Sequence, residues 1–325
     1  MSSSLKQRII PWLSKWGVVL AIIVLFIFFS IALPGFLSAS NMISILRSIS
    51  IVTVIAIGLT VALTVNGLDL SIGSTATLAS SLVVSFFVWY SMPLFVSLPL
   101  ALLLSLSVAL FNMLLILWFR IPDLVATLST MFIVEGLAMT YTGGGSISEG
   151  MPRLDGTPTF GKIPAAFKSM GQVPLIIIIM LIAVLLVHLL LNHTRYGRLL
   201  YATGGNIEAA RLTGIPVNRY RAFAYIMSAF FAALGGLMIA ARIGSAQVNA
   251  GAGYLMPAVA AAYIGFSFAG QGKPNALGTF AGAVLIGVLE NGLVMMSVPY
   301  YSMNIVKGSI LALALASTYW HQKNH

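Results

Sequence analysis

Uninterrupted apolar stretches of membrane-crossing length recur along almost the whole chain, and they decide what it can fold into. Val173–Leu191 contains one histidine and no charged residue, and Ala222–Ala241 has no charged residue at all. About 20 such residues in a helix cross a hydrocarbon core of ~30 Å. Inside that core every backbone N–H and C=O needs a protein partner, which leaves helices or a closed barrel. The apolar runs are continuous rather than alternating, which excludes the barrel. Composition leads to the same place: 59% of the 325 residues are hydrophobic and 7% are charged, against about 25% charged in a soluble domain. Such a chain cannot cover its own surface with polar groups. The expected fold is therefore an all-α polytopic membrane protein.

The sequence predicts about ten transmembrane helices, near 17–33, 48–65, 74–90, 93–118, 122–141, 173–191, 222–241, 254–269, 276–296 and 303–320. Pro34-Gly35, Pro93, Pro122, Pro174 and Pro299 punctuate the joints. The first apolar run reaches Leu33 without a small-residue cleavage site and reads as a retained span rather than a removed signal. Residues 1–325 read as one membrane-embedded domain with a short N-terminus (1–16). An even number of spans puts Lys6, Arg8, Lys15, Arg120, Arg195, Arg198, Arg211, Arg219, Arg221, Lys273 and Lys323 on the side of both termini. Arg47, Arg153, Lys162, Lys168, Arg242 and Lys307 fall on the other side. The excess of Lys and Arg marks the first side as cytoplasmic. The net charge of +10 is then topological, and nothing calls for nucleic acid.

Several chemistries are excluded by absence of their motifs. There is no cysteine, and the four histidines (His188, His193, His321, His325) have no metal-ligand spacing. No catalytic set stands out, and no metal or other cofactor is expected. Gly270-Gln271-Gly272-Lys273 comes nearest to a nucleotide loop, but Ser267 stands where the first glycine should be and Pro274 where Ser or Thr is needed. The chain has no nucleotide motif of its own.

Two long loops remain. Residues 142–172 contain a Gly-Gly-Gly run and face outward. Residues 192–221 face the cytoplasm and concentrate Arg195, Arg198, Glu208, Arg211, Arg219 and Arg221. Within the second loop, Glu208-Ala209-Ala210-Arg211 favours helix. Gly204-Gly205-Asn206 reads as its start and Gly214-Ile215-Pro216 as its stop. So short a surface helix is unstable alone; it needs either a protein partner or an anionic lipid surface.

Polar residues inside the apolar sequence are the candidates for a translocation pathway. Asn66-Gly67-Leu68-Asp69-Leu70-Ser71 interrupts two apolar runs, and the 66–73 segment fits a re-entrant loop. Asp69 also suits a simpler role, capping the following helix. Glu135 and Glu290 lie within spans, where a carboxylate costs about 2.5–3.5 kcal/mol and must be paired, protonated or wet. Asn291, Asn304 and Lys307 are possible partners, and an interhelical hydrogen bond would serve as well as a pathway role. Gly235, Gly236, Gly278, Gly282, Gly287 and Gly292, with Ala258, Ala261 and Ala262, suit close helix packing.

YGRLLYATGGNIEAARLTGIPVNRYR and NGLDLSIGS, with PGFLSASNMISILRS, IPDLVATLSTM, TYTGGG, ALGTFAGAVLIGVLENGL and a late VKG in the same order, resemble the permease subunits of ribose-type bacterial ABC importers. The resemblance runs from the first span to the last. It implies a permease dimer in the inner membrane, two cytoplasmic ATP-binding subunits, and a periplasmic binding protein that delivers a monosaccharide or similar solute. Gly204, Gly205, Asn206, Glu208, Ala209, Ala210, Arg211 and Gly214 then match a coupling helix that docks into the ATPase. The chain departs from the family at Glu135 and across Tyr263–Gly272, which leaves homodimer and heterodimer both open. The alternative is an ion-coupled secondary transporter that works through Asp69, Glu135 or Glu290 without an ATPase.

Overall fold

A computed structural model describes residues 3–266, 272–303, 305–306, 308–309 and 312. Among them are twelve α-helices: α1 (Ser3–Ala32), α2 (Ala39–Thr64), α3 (Ile72–Val88), α4 (Leu94–Met113), α5 (Asp123–Thr142), α6 (Ala165–Met170), α7 (Leu175–His193), α8 (Arg195–Gly205), α9 (Ile207–Leu212), α10 (Val217–Ile243), α11 (Ala252–Phe266) and α12 (Ala276–Met295). The only strand-like feature among the described residues is an isolated bridge between Ile147 and Ala246. Among the described residues, six helices are long and apolar enough to cross a membrane: α2, α4 with its following turn, α5, α7, α10 and α12. Trp16–Ala32 of α1, α3 and α11 are shorter apolar segments. Nine of the ten expected spans thus coincide with helices. Most of the tenth, with Asn304, Lys307 and Lys323, lies outside the described residues, as do Ser267–Gln271.

Boundaries differ from expectation where helices run on past their apolar part. α1 reaches back to Ser3, so residues 3–16, expected as a short N-terminus, are helical in continuity with the span. The second span begins at Ala39, nine residues before the expected 48, because Ser38 caps it by accepting a hydrogen bond from the Asn41 N–H (3.3 Å). Within the 66–73 segment, a turn over residues 66–71 leads directly into α3, which begins at Ile72.

The bundle is layered by burial. In α3, every residue from Ile72 to Val88 except Leu78 is buried, so this helix has no lipid-facing side. It lies against α10, α5, α4 and α11. α10 in turn packs on α2, α3 and α4, which makes α2, α3 and α10 the centre. α7 shows the opposite pattern: Ile178, Leu181, Ile182, Leu185 and Leu189 are exposed, while Ile176, Met180, Ala183 and Val187 are buried. The three-and-four spacing gives it one lipid face and one core face.

Glycine sets how closely the inner helices approach, as the small-residue series suggested. A Cβ on Gly282 would overlap the Ala261 carbonyl and one on Gly278 the Gly265 carbonyl, so α11 and α12 touch backbone to backbone. Gly236 meets Ala76 of α3 in the same way, and Gly235 and Gly287 take the Ile55 and Ile49 side chains of α2. Close backbone approach supplies the dispersion contacts that replace a hydrophobic drive inside lipid. α8 and α9 lie at the end of the bundle where α2 finishes and α10 starts, and α6 at the end where α10 finishes.

Candidate coupling and translocation site

The loop between α7 and α10 is almost entirely helical. Thr194 caps α8 by accepting from the Gly197 N–H (3.1 Å), and its own hydroxyl donates to the Leu190 carbonyl (2.6 Å). Gly197 lets α8 fold back on the end of α7, since a Cβ there would overlap the Leu191 carbonyl. α8 buries Gly197, Leu200 and Thr203 and exposes Arg195, Tyr196 and Arg198. Its Tyr201 hydroxyl donates to the Pro274 carbonyl (2.6 Å). Burial pushes that phenol up to about 12, so it stays protonated and acts as a donor.

The expected short helix is α9. Asn206 caps it, accepting from the Ala209 N–H (2.9 Å). At its other end the Ile215 N–H reaches the Ala210 carbonyl and the Gly214 N–H the Arg211 carbonyl, both at 3.1 Å. That pair of bonds is a Schellman stop with Gly214 at the left-handed position (φ 82°). Pro216 then leads into α10. Gly204 and Gly205, expected as part of the start signal, instead close α8. Gly204 sits on the end of α2, where a Cβ would overlap the Thr64 carbonyl. Ala210 is the buried residue of α9, whereas Glu208, Ala209, Arg211 and Leu212 are exposed. Leu212 is 88% exposed, and Glu208 pairs with Arg211 within the helix (3.0 Å).

Directly beneath Gly204 lies the turn that contains Asn66, Asp69 and Ser71. Gly67 N–H to Ala62 O and Asn66 N–H to Leu63 O (both 3.1 Å) end α2 in a second Schellman stop, with Asn66 at the left-handed position (φ 58°). The Asp69 carboxylate accepts from the Ser71 N–H (3.0 Å), the Ser71 hydroxyl (2.6 Å) and the Ser228 hydroxyl of α10 (2.7 Å). Asn112 of α4 donates to the Ser71 oxygen (2.9 Å). All four side chains are buried. This is the closed, hydrogen-bonded arrangement a buried carboxylate requires, and it organises the entry to α3.

Residues that the sequence did not single out complete the cluster. Asp123, the first residue of α5, forms an ion pair with Arg221 and accepts from the Tyr225 hydroxyl (2.6 Å). A Cβ on Gly67 would stand 2.8 Å from that hydroxyl and 3.1 Å from the Asp123 carboxylate. Thr127 donates to the Leu68 carbonyl (2.9 Å). The turn after α2 is thereby held by α4, α5, α8 and α10 together. The only available signal was weak: an acid and two basic residues at the starts of separate spans.

The remaining candidates lie elsewhere. Asn291 donates to Asn41 (2.9 Å), which donates to the Phe36 carbonyl (2.7 Å), at the opposite end of α2 from Asp69. Its neighbour Glu290 is half-buried on α12. Glu135 is half-buried on α5 between exposed Phe132, Ile133 and Leu137 and has no ion-pair or hydrogen-bond partner among the described residues. The six pathway candidates therefore form no single cluster. No group of His, Cys, Asp and Glu among the described residues could hold a metal.

On the α6 face, the loop after α5 is bound to the ends of α3 and α10. The Arg153 guanidinium donates to the Trp89 carbonyl and lies 4.7 Å from the centre of the Tyr90 ring. Glu149 accepts from Lys168 (3.0 Å) and from the Ile163 N–H (2.8 Å), and these bonds hold its carboxyl below the usual range.

Residues 41–315 match the family described as branched-chain amino acid transport system, permease component. The ribose import permease RbsC of Haemophilus influenzae is 34% identical over 92% of this chain and 92% of its own length. RbsC of Bacillus subtilis is 33% identical over 93% of this chain and 92% of its own. The galactose/methyl galactoside import permease MglC of Salmonella typhimurium is 34% identical over 97% of both chains. The chain belongs to this permease family. No solved structure matches it. For a membrane permease, the two features that stand out are a preformed surface helix, α9, and the packed turn beneath α8 and beside α10.

Proposed function

We propose that this permease subunit carries a monosaccharide or similar small polar solute across the bacterial inner membrane, driven by ATP-binding subunits that grip α9. The observation that carries the reading is α9 itself: six residues, capped at both ends, with Glu208, Ala209, Arg211 and Leu212 turned outward. An isolated helix of that length is marginal in water, and a bare leucine at its tip is explained by a protein partner. The α8–α9 face is then cytoplasmic, together with both termini, which requires an even span count; ten spans satisfy it. A periplasmic binding protein would deliver solute at the α6 face.

The solute assignment rests on names. The family description speaks of branched-chain amino acids, whereas the full-length relatives are named for ribose and galactose. Identity of about one third over whole chains favours the sugar.

A second permease chain is part of the proposal. Glu135 has no partner among the described residues of this chain, yet a carboxylate in a span must be paired, protonated or wet. An interface or wet path along α5 supplies what it lacks. Asn66, Asp69, Ser71, Glu135, Glu290 and Asn291 remain candidates for the translocation pathway. Asp69 and Glu290 are separated by the length of α2, on the order of 35 Å at 1.5 Å per residue, too far for one ion-coupling site.

Because the native chain has no cysteine, cysteine cross-linking tests both contacts cleanly. Ala209→Cys is expected to cross-link to the ATP-binding subunit and Glu135→Cys to a second permease chain, and uptake of ribose or galactose is expected to require ATP. Uptake by this chain alone under an ion gradient would overturn the reading.

A further inference from the structure

The permease has a basic cleft beside the packed turn and α9 that shares Asp123, Arg221 and Arg211 with them and adds Arg120, which neither uses. It measures about 570 Å³ and lies on the α8–α9 face, between the end of α4 and the start of α10. Arg120, Arg211 and Arg221 line it, with Asp123 as the one acid. Asp123 is already engaged by Arg221 and Tyr225. Arg211 shares Glu208 on the surface. Arg120 has no ion-pair or hydrogen-bond partner among the described residues, and the buried Nε of Arg221 also lacks an acceptor. The cleft therefore carries uncompensated positive charge.

Its other wall is apolar and continuous with the outside of the bundle. Ile116 and Leu117 come from a π-helical turn, Leu114–Trp118, that ends the α4 span. The wider turn closes with the Ile121 N–H on the Leu115 carbonyl (3.1 Å) and leaves Arg120 in the left-handed region (φ 56°). A non-glycine residue in that region is uncommon and marks a site where the chain direction matters. Here it sets Arg120 at the cleft mouth. Next to it, Trp118 is 79% exposed and Phe119 61% exposed, as aromatic side chains are where a span meets the headgroup layer.

We propose that this cleft binds the phosphate headgroup of an anionic glycerophospholipid, with Arg120 as the principal contact and the acyl chains running along Leu117 and Trp118. Charge complementarity argues for an anion, and the membrane-interface position with an apolar wall argues for a lipid. Basic pockets between spans hold acidic headgroups for the same reason. The inference depends on the cleft alone and not on what drives transport. Its consequence is that a lipid would bridge α4, α5 and the start of α10, next to α9.

The test is lipid retention by the full-length permease, purified from nanodiscs of phosphatidylcholine with phosphatidylglycerol and weighed intact by native mass spectrometry. The wild type is expected to keep phosphatidylglycerol in preference to phosphatidylcholine. Arg120→Gln, at an exposed position, is expected to lower that retention about fivefold, and Arg195→Gln, on the same face away from the cleft, to leave it unchanged. Equal retention in wild type and Arg120→Gln overturns the proposal. So does an equal loss in Arg195→Gln, which would mean diffuse surface charge. Displacement of the lipid by inorganic phosphate would make the cleft a free-anion site, and release of ATP-binding subunits from Arg120→Gln with lipid retention intact would assign it to a protein acid. Either result also overturns the lipid assignment. Loss of ATP-dependent uptake in the wild type would count against the coupling reading and leave the retention result standing.

Discussion

The two long polar loops of this permease are seated on the bundle by the same device and yet end up different in kind. On the α8–α9 face, Gly204 rests on the Thr64 carbonyl that ends α2; on the α6 face, Gly161 rests on the Phe87 and Val88 carbonyls that end α3, and Gly171 on the Ala241–Arg242 backbone that ends α10. In each case only a residue without Cβ fits. Beyond the seat, the α6 loop goes on burying itself. Phe167 is fully buried against Phe87, ring centres 5.0 Å apart, and Ile147 and Ile163 join the same hydrophobic cluster. The α8–α9 loop instead raises a capped helix with an exposed face. One loop has become part of the core, and the other keeps an exposed helix, the handle of the proposal above. Mutations that treat the two loops alike should therefore have unlike consequences.

The largest expected effect lies beneath the handle. Asp123→Ala leaves Arg221 without its carboxylate in a site where both side chains are 17% exposed. Removal of one member of such a pair costs about 3 kcal/mol, the low end of the range for buried pairs. Thermal unfolding in detergent would report it. Asp123→Asn, which still accepts from Tyr225, should lose less. Adding Arg221→Met to Asp123→Ala should recover much of the loss, because the stranded charge is gone. Without recovery, the pair would not be the link that holds α5 to α10.

Next come the two seats. Gly161→Ala and Gly204→Ala each drive a Cβ into a backbone carbonyl, and overpacking of this kind costs roughly 1–3 kcal/mol. The two variants should differ in their effect on transport. Gly161→Ala should lower the unfolding temperature in proportion to the strain, since its loop is core. Gly204→Ala should also impair ATP-dependent uptake beyond its stability loss, because α8 would be lifted from α2 and α9 with it. Equal ratios of uptake to folded protein in the two variants would erase the distinction between cover and handle.

A smaller effect is expected at Asn206, whose side chain caps α9. Asn206→Ala removes that bond for about 1 kcal/mol of local helix stability, and hydrogen exchange of the α9 amides should speed up while α8 stays protected. Fraying of both helices together would show that they form one unit.

How much of this was legible in the sequence depends on the range of each interaction. Spans announce themselves through runs of like residues, and nine of ten fall on helices. α9 was legible because its caps, Asn206 and Gly214, act on residues three to five positions away. α8 was not. Its single buried line, Gly197, Leu200 and Thr203, gains meaning only against the ends of α7 and α2. Asp123 was invisible for a related reason: its partners stand 98 and 102 residues further on, and no local pattern encodes such a meeting. Asp69 was noticed as polar and as a possible cap, and two of its donors come from Ser71 only two residues on, but its third donor depends on α10 arriving with Ser228. The α6 loop read as polar because its glycines and charges are local, whereas the hydrophobic cluster it completes is not.

The smallest expected effect on stability is also the one that isolates the handle. Glu208 and Arg211 form an exposed pair three residues apart, with side chains 76% and 59% accessible, and such a pair contributes at most about 0.5 kcal/mol. Leu212 projects into solvent and contributes nothing to packing within this chain. Glu208→Gln and Leu212→Ser should therefore leave the unfolding temperature unchanged. If ATP-binding subunits grip α9, however, the same substitutions remove a charge and an apolar anchor from the contact. Co-purification of those subunits should fall and uptake should fall with it, Leu212→Ser more than Glu208→Gln because desolvated apolar anchors carry most of a contact's energy. A matched pair on the α6 loop, Lys162→Gln and Phe160→Ser, is just as exposed and should leave the ATP-binding subunits bound. Loss of those subunits from both pairs, or from neither, would mean that α9 is not where the partner holds the permease.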